Sequence, residues 1–444
     1  MEQHLFGIRG FVIDAPEFGT LRGRHDGAVI IENERIVAVG NYEELRRSPR
    51  AAGLTWIDHG NVAVFPGLID CHTHLPQYPA VARGQSELLP WLRENIFPVE
   101  REFSSAKARV EAPLFFRDLA RHGTTTAMVY SAIFEDSTDV AFEAAQESGL
   151  RVILGKMMMD VGSYGTLQPK KILSVSVLES ERLCRKWHGA ANGRLEYAFS
   201  PRFAVTCSEK LMRSAAELAK QYGAYLQTHL AENREEIEKV HNLYMSARDY
   251  TDVYDKAGLL TNKMVLGHAI HLSPREIEAI AAAGSAIAHC PTSNMFLGSG
   301  LMKLDQLRRA GIPVGLGSDV AAGPELNMWQ VMRSAVDAQK ARSFHDPAVP
   351  QLRLAEAFYL ATAGGARALG KQAAIGTLDP GKEADVTVVD LAALRPYGSD
   401  RMASLSKDNV LALCVYRGGP HATLETFVRG QSVYRAPRKA QGNS

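Results

Sequence analysis

Two histidines one residue apart, His72 and His74, directly follow an apolar run in the sequence FPGLIDCHTH. Side chains two positions apart on a β-strand point to the same face, so both imidazoles can reach one point in space. Two imidazoles that converge in this way can bind a divalent ion at about 2.0–2.1 Å from each nitrogen. The alternative is a pair of polar side chains hydrogen-bonded at a strand end. We interpret the pair as part of a metal site.

Three later residues have side chains that bind metals or transfer protons, and each stands at the end of an apolar run. They are His229 in QTHLAE, His268 in LGHAIH and Asp319 in GLGSD. Each histidine taken singly is more often a hydrogen-bonded core residue than a ligand, and the aspartate is explained equally well as a helix N-cap. Their shared position at strand ends favours one common site.

The elements that would position these residues read as a parallel barrel. Apolar runs alternate with helical stretches between residues 65 and 375, which indicates a parallel sheet covered by helices. Eight such units predict a closed (β/α)8 TIM-type barrel, whose functional residues gather at the C-terminal ends of the strands. The runs are VFPGLIDCHTH, GTTTAMVYSA, RVILGKMMMD, RLEYAFSPRF, AYLQTHLAE, KMVLGHAIHL, AIAHCPTSN and PVGLGSDV.

Both ends of the chain have a different sequence pattern from the barrel region, with short strand-like segments between turn residues. Residues 1–64 contain GFVIDAP and GAVIIENERIVAVG, and residues 376–444 contain GKEADVTVVDL, VLALCVYRG and ATLETFVRGQSVYR. Such segments predict strands. We therefore expect the two ends to pair as one small β-sandwich domain that the barrel, residues 65–375, divides in sequence.

Composition excludes several classes of protein. The chain has 444 residues, of which 46% are hydrophobic and 22% charged, with a formal net charge of +1. A near-neutral protein has no long-range attraction for nucleic acid or anionic membranes. We see neither an apolar run of the roughly 20 residues that span a bilayer nor a signal peptide. Five scattered cysteines form no disulfide pattern, so a reduced, cytoplasmic protein is expected.

Several motifs together carry a family resemblance. PGLIDCHTH, THLAE, GHAIHL, HCPTSN and GLGSDV occur in the order seen in the amidohydrolase superfamily of metal-dependent hydrolases and deaminases. LLPWLRENIFPVE, SPRFAVTCSEKLM and HLAENREEIEKV further resemble guanine deaminases. The resemblance covers nearly the whole chain. A serine precedes the proline of SPRF where these enzymes often have threonine, a difference that affects no expected ligand.

The resemblance implies one metal ion per chain. Two-metal members bridge their ions with a carboxylated lysine on the fourth strand, and RLEYAFSPRF contains no lysine. Lys156 lies on the third strand and is expected to be structural. One ion would then be bound by a set of three histidines and an aspartate, with His268 beside it. Such donors suit zinc, with iron as a chemical alternative. The set is His72, His74, His229 and Asp319.

Proton transfer is expected from Glu232 and Asp319, and His268 is a further catalytic and substrate-binding candidate, expected to touch the metal-bound water or the substrate. Glu232 stands three residues after His229, where it could face the metal without binding it; a solvated acid at a helix start is the alternative. Asp319 would take a proton from the attacking water, and Glu232 would pass one to a ring nitrogen and the leaving group. His271 is expected in a loop or helix start. His289 either lines the site or packs beneath it.

Four residues are candidates for binding an aromatic substrate. Arg202 and Phe203 end the fourth strand; a guanidinium can pair with guanine O6 and N7, and a phenyl ring can stack on a purine. Gln77 could read another edge of the base, and Trp91 could shield the pocket. The alternatives are a barrel-rim salt bridge for Arg202 and simple packing for Trp91.

The resemblance thus implies hydrolysis of guanine to xanthine and ammonia, with guanine and water as the substrates. Another mononuclear deaminase or dechlorinase acting on a triazine, a pterin or an adenosine-type ring is the alternative enzyme. A non-catalytic scaffold of the same fold is disfavoured, because every expected ligand is present. A homodimer is expected from the resemblance alone.

Overall fold

The computed structural model describes residues 4–84, 87–162, 169–395 and 405–437. The strands of the described residues are β1 Leu5–Glu17, β2 Thr20–Glu32, β3 Arg35–Asn41, β4 Thr55–Pro66, β5 Leu68–His74, β6 Thr124–Tyr130, β7 Arg151–Gly155, β8 Met157–Met158, β9 Leu195–Pro201, β10 Tyr225–Leu230, β11 Met264–His268, β12 Ala286–His289, β13 Val314–Leu316, β14 Val386–Asp390, β15 Thr423–Val428 and β16 Gln431–Arg435.

The helices of the same residues are α1 Tyr42–Arg47, α2 Leu88–Trp91, α3 Phe97–Arg101, α4 Ser105–Arg121, α5 Glu135–Ser148, α6 Pro169–Trp187, α7 Ala190–Gly193, α8 Glu209–Tyr222, α9 Arg234–Leu243, α10 Tyr250–Lys256, α11 Pro274–Ala283, α12 Pro291–Phe296, α13 Leu304–Arg309, α14 Met328–His345, α15 Leu354–Leu360, α16 Ala363–Ala368 and α17 Lys407–Arg417. Within this described part, no helix is both long enough and apolar enough to span a bilayer.

The predicted (β/α)8 barrel is confirmed. Its parallel strands follow the order β5-β6-β7-β9-β10-β11-β12-β13, and each corresponds to one of the eight apolar runs of the sequence; the short β8 pairs with β9. Strands β5, β6 and β7 are buried along their whole length, as expected for strands covered on both faces. The first and last strands meet where the backbone N–H of Asp319 donates to the carbonyl of His72 at 2.8 Å.

The two chain ends form one β-domain, as predicted. Its seven strands pair in the order β16-β15-β14-β4-β1-β2-β3, so the C-terminal strands join the N-terminal ones through β14 and β4. Apolar side chains from both ends pack together in a separate hydrophobic core. The domain boundaries after residues 64 and 375 stay a prediction, and β4 runs from Thr55 to Pro66 across the first of them.

One predicted strand is wrong. The segment VLALCVYRG belongs to helix α17, which begins after the N-cap Ser406. Its buried residues are Val410, Leu411, Cys414 and Val415, whose spacing places them on one face of a helix. Short apolar runs are ambiguous between strand and buried helix, and packing of α17 against α14 decides the outcome here.

Buried ionic contacts join the barrel to the β-domain. Arg151, at the start of β7, is almost fully buried and pairs with Glu383 and, at 3.3 Å, with Asp385. Arg429, after β15, also pairs with Glu383 at 2.8 Å. Because buried charges need partners, this cluster ties β7 to the C-terminal strands and fixes the β-domain against the barrel.

Candidate active site

The structure brings the four predicted metal-binding residues to one point at the C-terminal end of the barrel. The Nε2 atom of His74 lies 3.3 Å from Nε2 of His72 and 3.2 Å from Nε2 of His229. The Oδ1 atom of Asp319 lies 3.3 Å from the Nε2 atoms of both His72 and His74. All four potential ligand atoms lie within 4.8 Å of one another.

The surroundings of these residues fit a divalent cation. Nδ1 of His229 donates to the carbonyl of Arg202 at 2.7 Å, so Nε2 of the neutral ring presents a lone pair to the cluster. Burial lowers the pKa of His72 to about 4, which also leaves that imidazole neutral. Neutral imidazole nitrogens that converge with a carboxylate are a donor set for zinc or a related metal. The chemistry of the donors therefore fits the predicted ion.

Two site residues have strained backbone conformations. His268, with φ of 65°, and Asp319, with φ of 49°, lie in the left-handed region that non-glycine residues rarely adopt. Both end or follow barrel strands, β11 and β13. Strain of this kind clusters at functional sites, where the surrounding structure holds it in place. The left-handed turns are part of what directs both side chains into the barrel mouth.

His268 and Glu232 form a second pair beside the metal cluster. Nε2 of His268 lies 3.4 Å from Oε2 of Glu232 and 3.7 Å from Oδ2 of Asp319. Nδ1 of His268 donates to Oδ1 of Asn294 at 2.8 Å, and Ser299 Oγ donates to Oε1 of Glu232 at 3.0 Å. Asn294 and Ser299 were not identified from the sequence, although Asn294 lies in HCPTSN.

The environment shifts the pKa of both members of this pair upward. Burial raises the pKa of Glu232 to about 7, against the opposing charge of His268. Burial alone would lower the pKa of His268, but the carboxylates of Glu232 and Asp319 outweigh it and raise that pKa. A buried acid near pKa 7 beside a histidine can exchange protons near neutral pH.

The predicted substrate residues line one pocket with the metal cluster. The pocket wall includes Gln77, Trp91, Arg202 and Phe203 together with His74, His229, Glu232, His268 and Asp319. Leu88, Leu92, Leu297 and Ala322 complete it and make the rest of the wall apolar. Trp91 donates from its indole N–H to the carbonyl of Arg83 at 2.8 Å, which fixes the ring over the pocket. A pocket that combines apolar and aromatic side chains with converging polar groups suits an aromatic heterocycle.

Three further contacts of the site were missed in the sequence. Glu100 of α3 forms a buried ion pair with Arg202. The carboxylate of Asp70 accepts from the Ser318 backbone N–H at 2.9 Å and from its hydroxyl at 2.5 Å. Tyr130, at the end of β6, stacks on His74 with the two ring centroids 4.5 Å apart. Of these three residues, only Tyr130 could have been found from the sequence, because it is a polar residue at the end of an apolar strand run.

Three other residues considered in the sequence, His289, His271 and Lys156, lie outside the pocket wall. His289 is buried with 1% exposure and is not one of the residues that line the pocket. His271, which precedes α11, contacts the carbonyl of Ser299 through Nε2 at 2.7 Å. Lys156 pairs with Glu179 at 3.2 Å and donates to the carbonyl of Ile133 at 3.0 Å, consistent with a structural role.

Comparison with known proteins gives the same grouping. The Amidohydrolase family matches residues 63–433. A guanine deaminase of Escherichia coli (strain K12) is 35% identical over 98% of this chain and 98% of its own length. The structure of a guanine deaminase from C. acetobutylicum with bound guanine in the active site superposes with a TM-score of 0.90. It is 29% identical and covers 97% of this chain and 100% of that one.

A more distant structure is that of a mutant atrazine chlorohydrolase from Arthrobacter aurescens TC1 complexed with zinc and atraton. It has a TM-score of 0.80 and 25% identity, with 96% of this chain and 94% of that one covered. The matches span the barrel and the β-domain alike. The guanine deaminases named above match this chain over nearly their full lengths. The chain belongs to the amidohydrolase family.

Proposed function

We propose that the protein is a zinc-dependent guanine deaminase that converts guanine and water to xanthine and ammonia. The observation that carries the proposal is that one pocket contains both halves of the required chemistry. His74, His229 and Asp319 of the metal cluster and Glu232 line the same wall as Arg202, Phe203 and Gln77, and His72 completes the cluster behind that wall. The full-length relatives that bear this activity in their names support the choice of guanine.

Guanine would be held by its edge and its face. Arg202 carries a planar guanidinium that matches the O6 and N7 acceptors of guanine, and the amide of Gln77 offers a second polar contact. The ring of Phe203 can stack on the purine. Trp91 and the leucines of the wall exclude water from the apolar part of the pocket. We propose these four as the substrate-binding residues, together with His268.

The proposed metal ligands are the converging His72, His74, His229 and Asp319. A divalent ion bound there supplies Lewis acidity, which makes water a nucleophile near neutral pH. Zinc is supported by the donor set and by the zinc-bound atrazine chlorohydrolase relative. We further propose a homodimer, supported by the resemblance alone. We also propose a cytoplasmic location, supported by five buried, unpaired cysteines.

The carboxylates and His268 move the protons. Asp319 accepts a proton from the water that attacks C2 of guanine. His268, whose Nε2 lies 3.7 Å from Oδ2 of Asp319, stabilises the negative charge that develops on the attacking oxygen. Glu232 protonates a ring nitrogen, takes up the proton of the hydroxyl formed at C2 as the carbonyl forms, and passes that proton to the departing amino group, which leaves as ammonia; the proton held by Asp319 then restores Glu232. Its pKa of about 7 allows it to both release and regain a proton near neutral pH. The hydrogen bond from Ser299 keeps this carboxylate oriented.

Ammonia release from purified protein tests the proposal. The protein is incubated with guanine and with a panel of other purines, pterins and triazines, while metal content is measured on the same sample. We expect rapid release from guanine and about one zinc ion per chain. Inert guanine with rapid turnover of a triazine or a pterin would reject it in favour of another ring deaminase or dechlorinase of the same family.

A further inference from the structure

Glu100 contacts both of the polar residues that are proposed to read the substrate. It lies on α3 with 1% exposure, forms an ion pair with Arg202 and accepts a hydrogen bond from Nε2 of Gln77 at 2.8 Å. Arg202 and Gln77 belong to the described pocket wall, whereas Glu100 stands outside that wall. One carboxylate thus supports two pocket residues that follow different strands of the barrel, β5 and β9.

The orientation of the Gln77 amide follows from this contact. Its Oε1 accepts from the backbone N–H of Ala321 at 3.1 Å, while its Nε2 donates to Glu100. A backbone N–H can only donate and an ionised carboxylate can only accept. The Ala321 N–H and the Glu100 carboxylate therefore allow only one orientation of the amide. That orientation determines which amide atom can contact the substrate.

Glu100 also cancels the charge that Arg202 brings to the pocket. Arg202 has 2% exposure, and a guanidinium stays protonated at all relevant pH values. The ring of Phe97 covers it at 4.9 Å from the centroid, so little solvent is available to screen its charge. A buried cation without a partner is costly and attracts anions strongly. With Glu100 ionised beside it, Arg202 offers hydrogen-bond donors while the pair has no net charge.

We propose that Glu100 is a positioning residue that determines specificity by holding Arg202 and Gln77 and by cancelling the arginine charge. The pocket then selects a neutral purine with an acceptor edge and rejects an anionic purine of the same shape. The inference rests on the proposed function for the class of substrate. It adds a residue that acts through its neighbours and does not touch the base.

The test compares Glu100→Gln with the matched control Glu102→Gln, an acid of the same helix end whose side chain is 74% exposed. Affinities of the metal-loaded proteins are measured by calorimetry for hypoxanthine, which is neutral at pH 7, and for urate, which is an anion. In Glu100→Gln the urate-to-hypoxanthine affinity ratio should rise by about tenfold or more, because a buried cation is left unpaired. The KM for guanine should rise by about tenfold, with a smaller change in kcat. Glu102→Gln should match the wild type.

A double-mutant cycle separates this role from a structural one. The net charge of the pair is −1 in Arg202→Gln and zero in the double variant, as in the wild type. The urate-to-hypoxanthine ratio should therefore fall in Arg202→Gln and return to within about twofold of the wild-type value in Arg202→Gln/Glu100→Gln. These two proteins test the proposal even when Glu100→Gln does not fold.

Two results would overturn the assignment: an unchanged ratio in folded Glu100→Gln, or a double variant that keeps the ratio of Arg202→Gln. Neither affinity depends on turnover. A wild-type protein that binds both purines but releases no ammonia from guanine would therefore reject the proposed function, while the ratios would still decide the role of Glu100.

Discussion

The backbone N–H of Asp319 donates to the carbonyl oxygen of His72 at 2.8 Å, so two proposed metal ligands also join the last barrel strand to the first. The carboxylate of Asp70 reinforces the same junction. It accepts from the backbone N–H of His72 at 3.2 Å and from both the N–H and the hydroxyl of Ser318. Closure of the barrel and convergence of the ligands therefore depend on the same few hydrogen bonds.

Replacing Asp70 by Asn should weaken metal binding and stability together. Oδ1 of Asp70 accepts from two backbone N–H groups, and Oδ2 accepts from the Ser318 hydroxyl. An amide can keep all three contacts only if the hydroxyl turns to accept from the new N–H, and the hydrogen bonds lose the strength that the carboxylate charge gives them. We expect a loss of about 1–3 kcal/mol in the free energy of unfolding and about a tenfold weaker metal affinity. Denaturant melts and metal titration measure the two quantities.

Two variants calibrate that result. Ser318→Ala removes only the hydroxyl donor and should give a smaller loss of about 1 kcal/mol. Asp58→Asn changes a carboxylate whose side chain is 41% exposed, and stability should stay within about 0.5 kcal/mol of the wild type. Equal stability and metal affinity in Asp70→Asn and the wild type would contradict a role for Asp70 in holding the ligands.

The metal cluster predicts that replacing any one of its histidines has the same effect. His72→Ala and His229→Ala each remove one of four convergent donors, so both variants should lose the ion and the activity together. Elemental analysis of the wild-type protein should show about one divalent ion per chain. A chelator should inactivate it, and added zinc should restore activity. Two ions per chain, or full activity of the metal-free protein, would refute this assignment.

The barrel was predictable because its signal is local. Each of its eight main strands is a near-continuous apolar run, and the ends of those runs carry His72, His74, His229, His268 and Asp319. Knowing that all strands point the same way is enough to bring such residues together. The failure at α17 has the opposite cause, since its short apolar run fits both a strand and a buried helix face.

The contacts that support the site could not be predicted from sequence in the same way. Glu100 is 102 residues away from its partner Arg202, and Asp70 is 248 residues away from Ser318. Neither acid stands at the end of an apolar strand run, so nothing in the sequence distinguishes either one from a solvated side chain. Their importance is determined by tertiary contacts: the packing of α3 beside Arg202 for Glu100, and the closure of the first barrel strand on the last for Asp70.

The cysteines should be unreactive in the folded protein. All five are buried, and burial raises the pKa of Cys184 and of Cys207 to about 12, so almost no thiolate is present at pH 8. We expect iodoacetamide to modify no cysteine of the native protein in a short incubation and all five after denaturation in guanidinium. Mass spectrometry counts the modified residues. Rapid native labelling of any of the five would show that its thiol is accessible.

The roles of Glu232 and Asp319 can be separated by a matched pair of variants. Glu232→Gln keeps the size of the side chain and can still accept from Ser299, but it cannot exchange a proton as a carboxylate does. We expect it to retain zinc and to bind guanine, while kcat falls by about 10² to 10⁴, the usual contribution of one positioned acid–base group.

Asp319→Asn should behave differently, because Asp319 contacts the Nε2 atoms of His72 and His74 as well as His268. Removing its charge takes a ligand from the metal and a proton acceptor from the water, so metal affinity and kcat should fall together. Measuring zinc content, guanine affinity and kcat on both variants distinguishes proton transfer from ligation. Near-native kcat in zinc-loaded Glu232→Gln would end its assignment as the proton-transfer group, and loss of zinc in that variant would place Glu232 among the ligands.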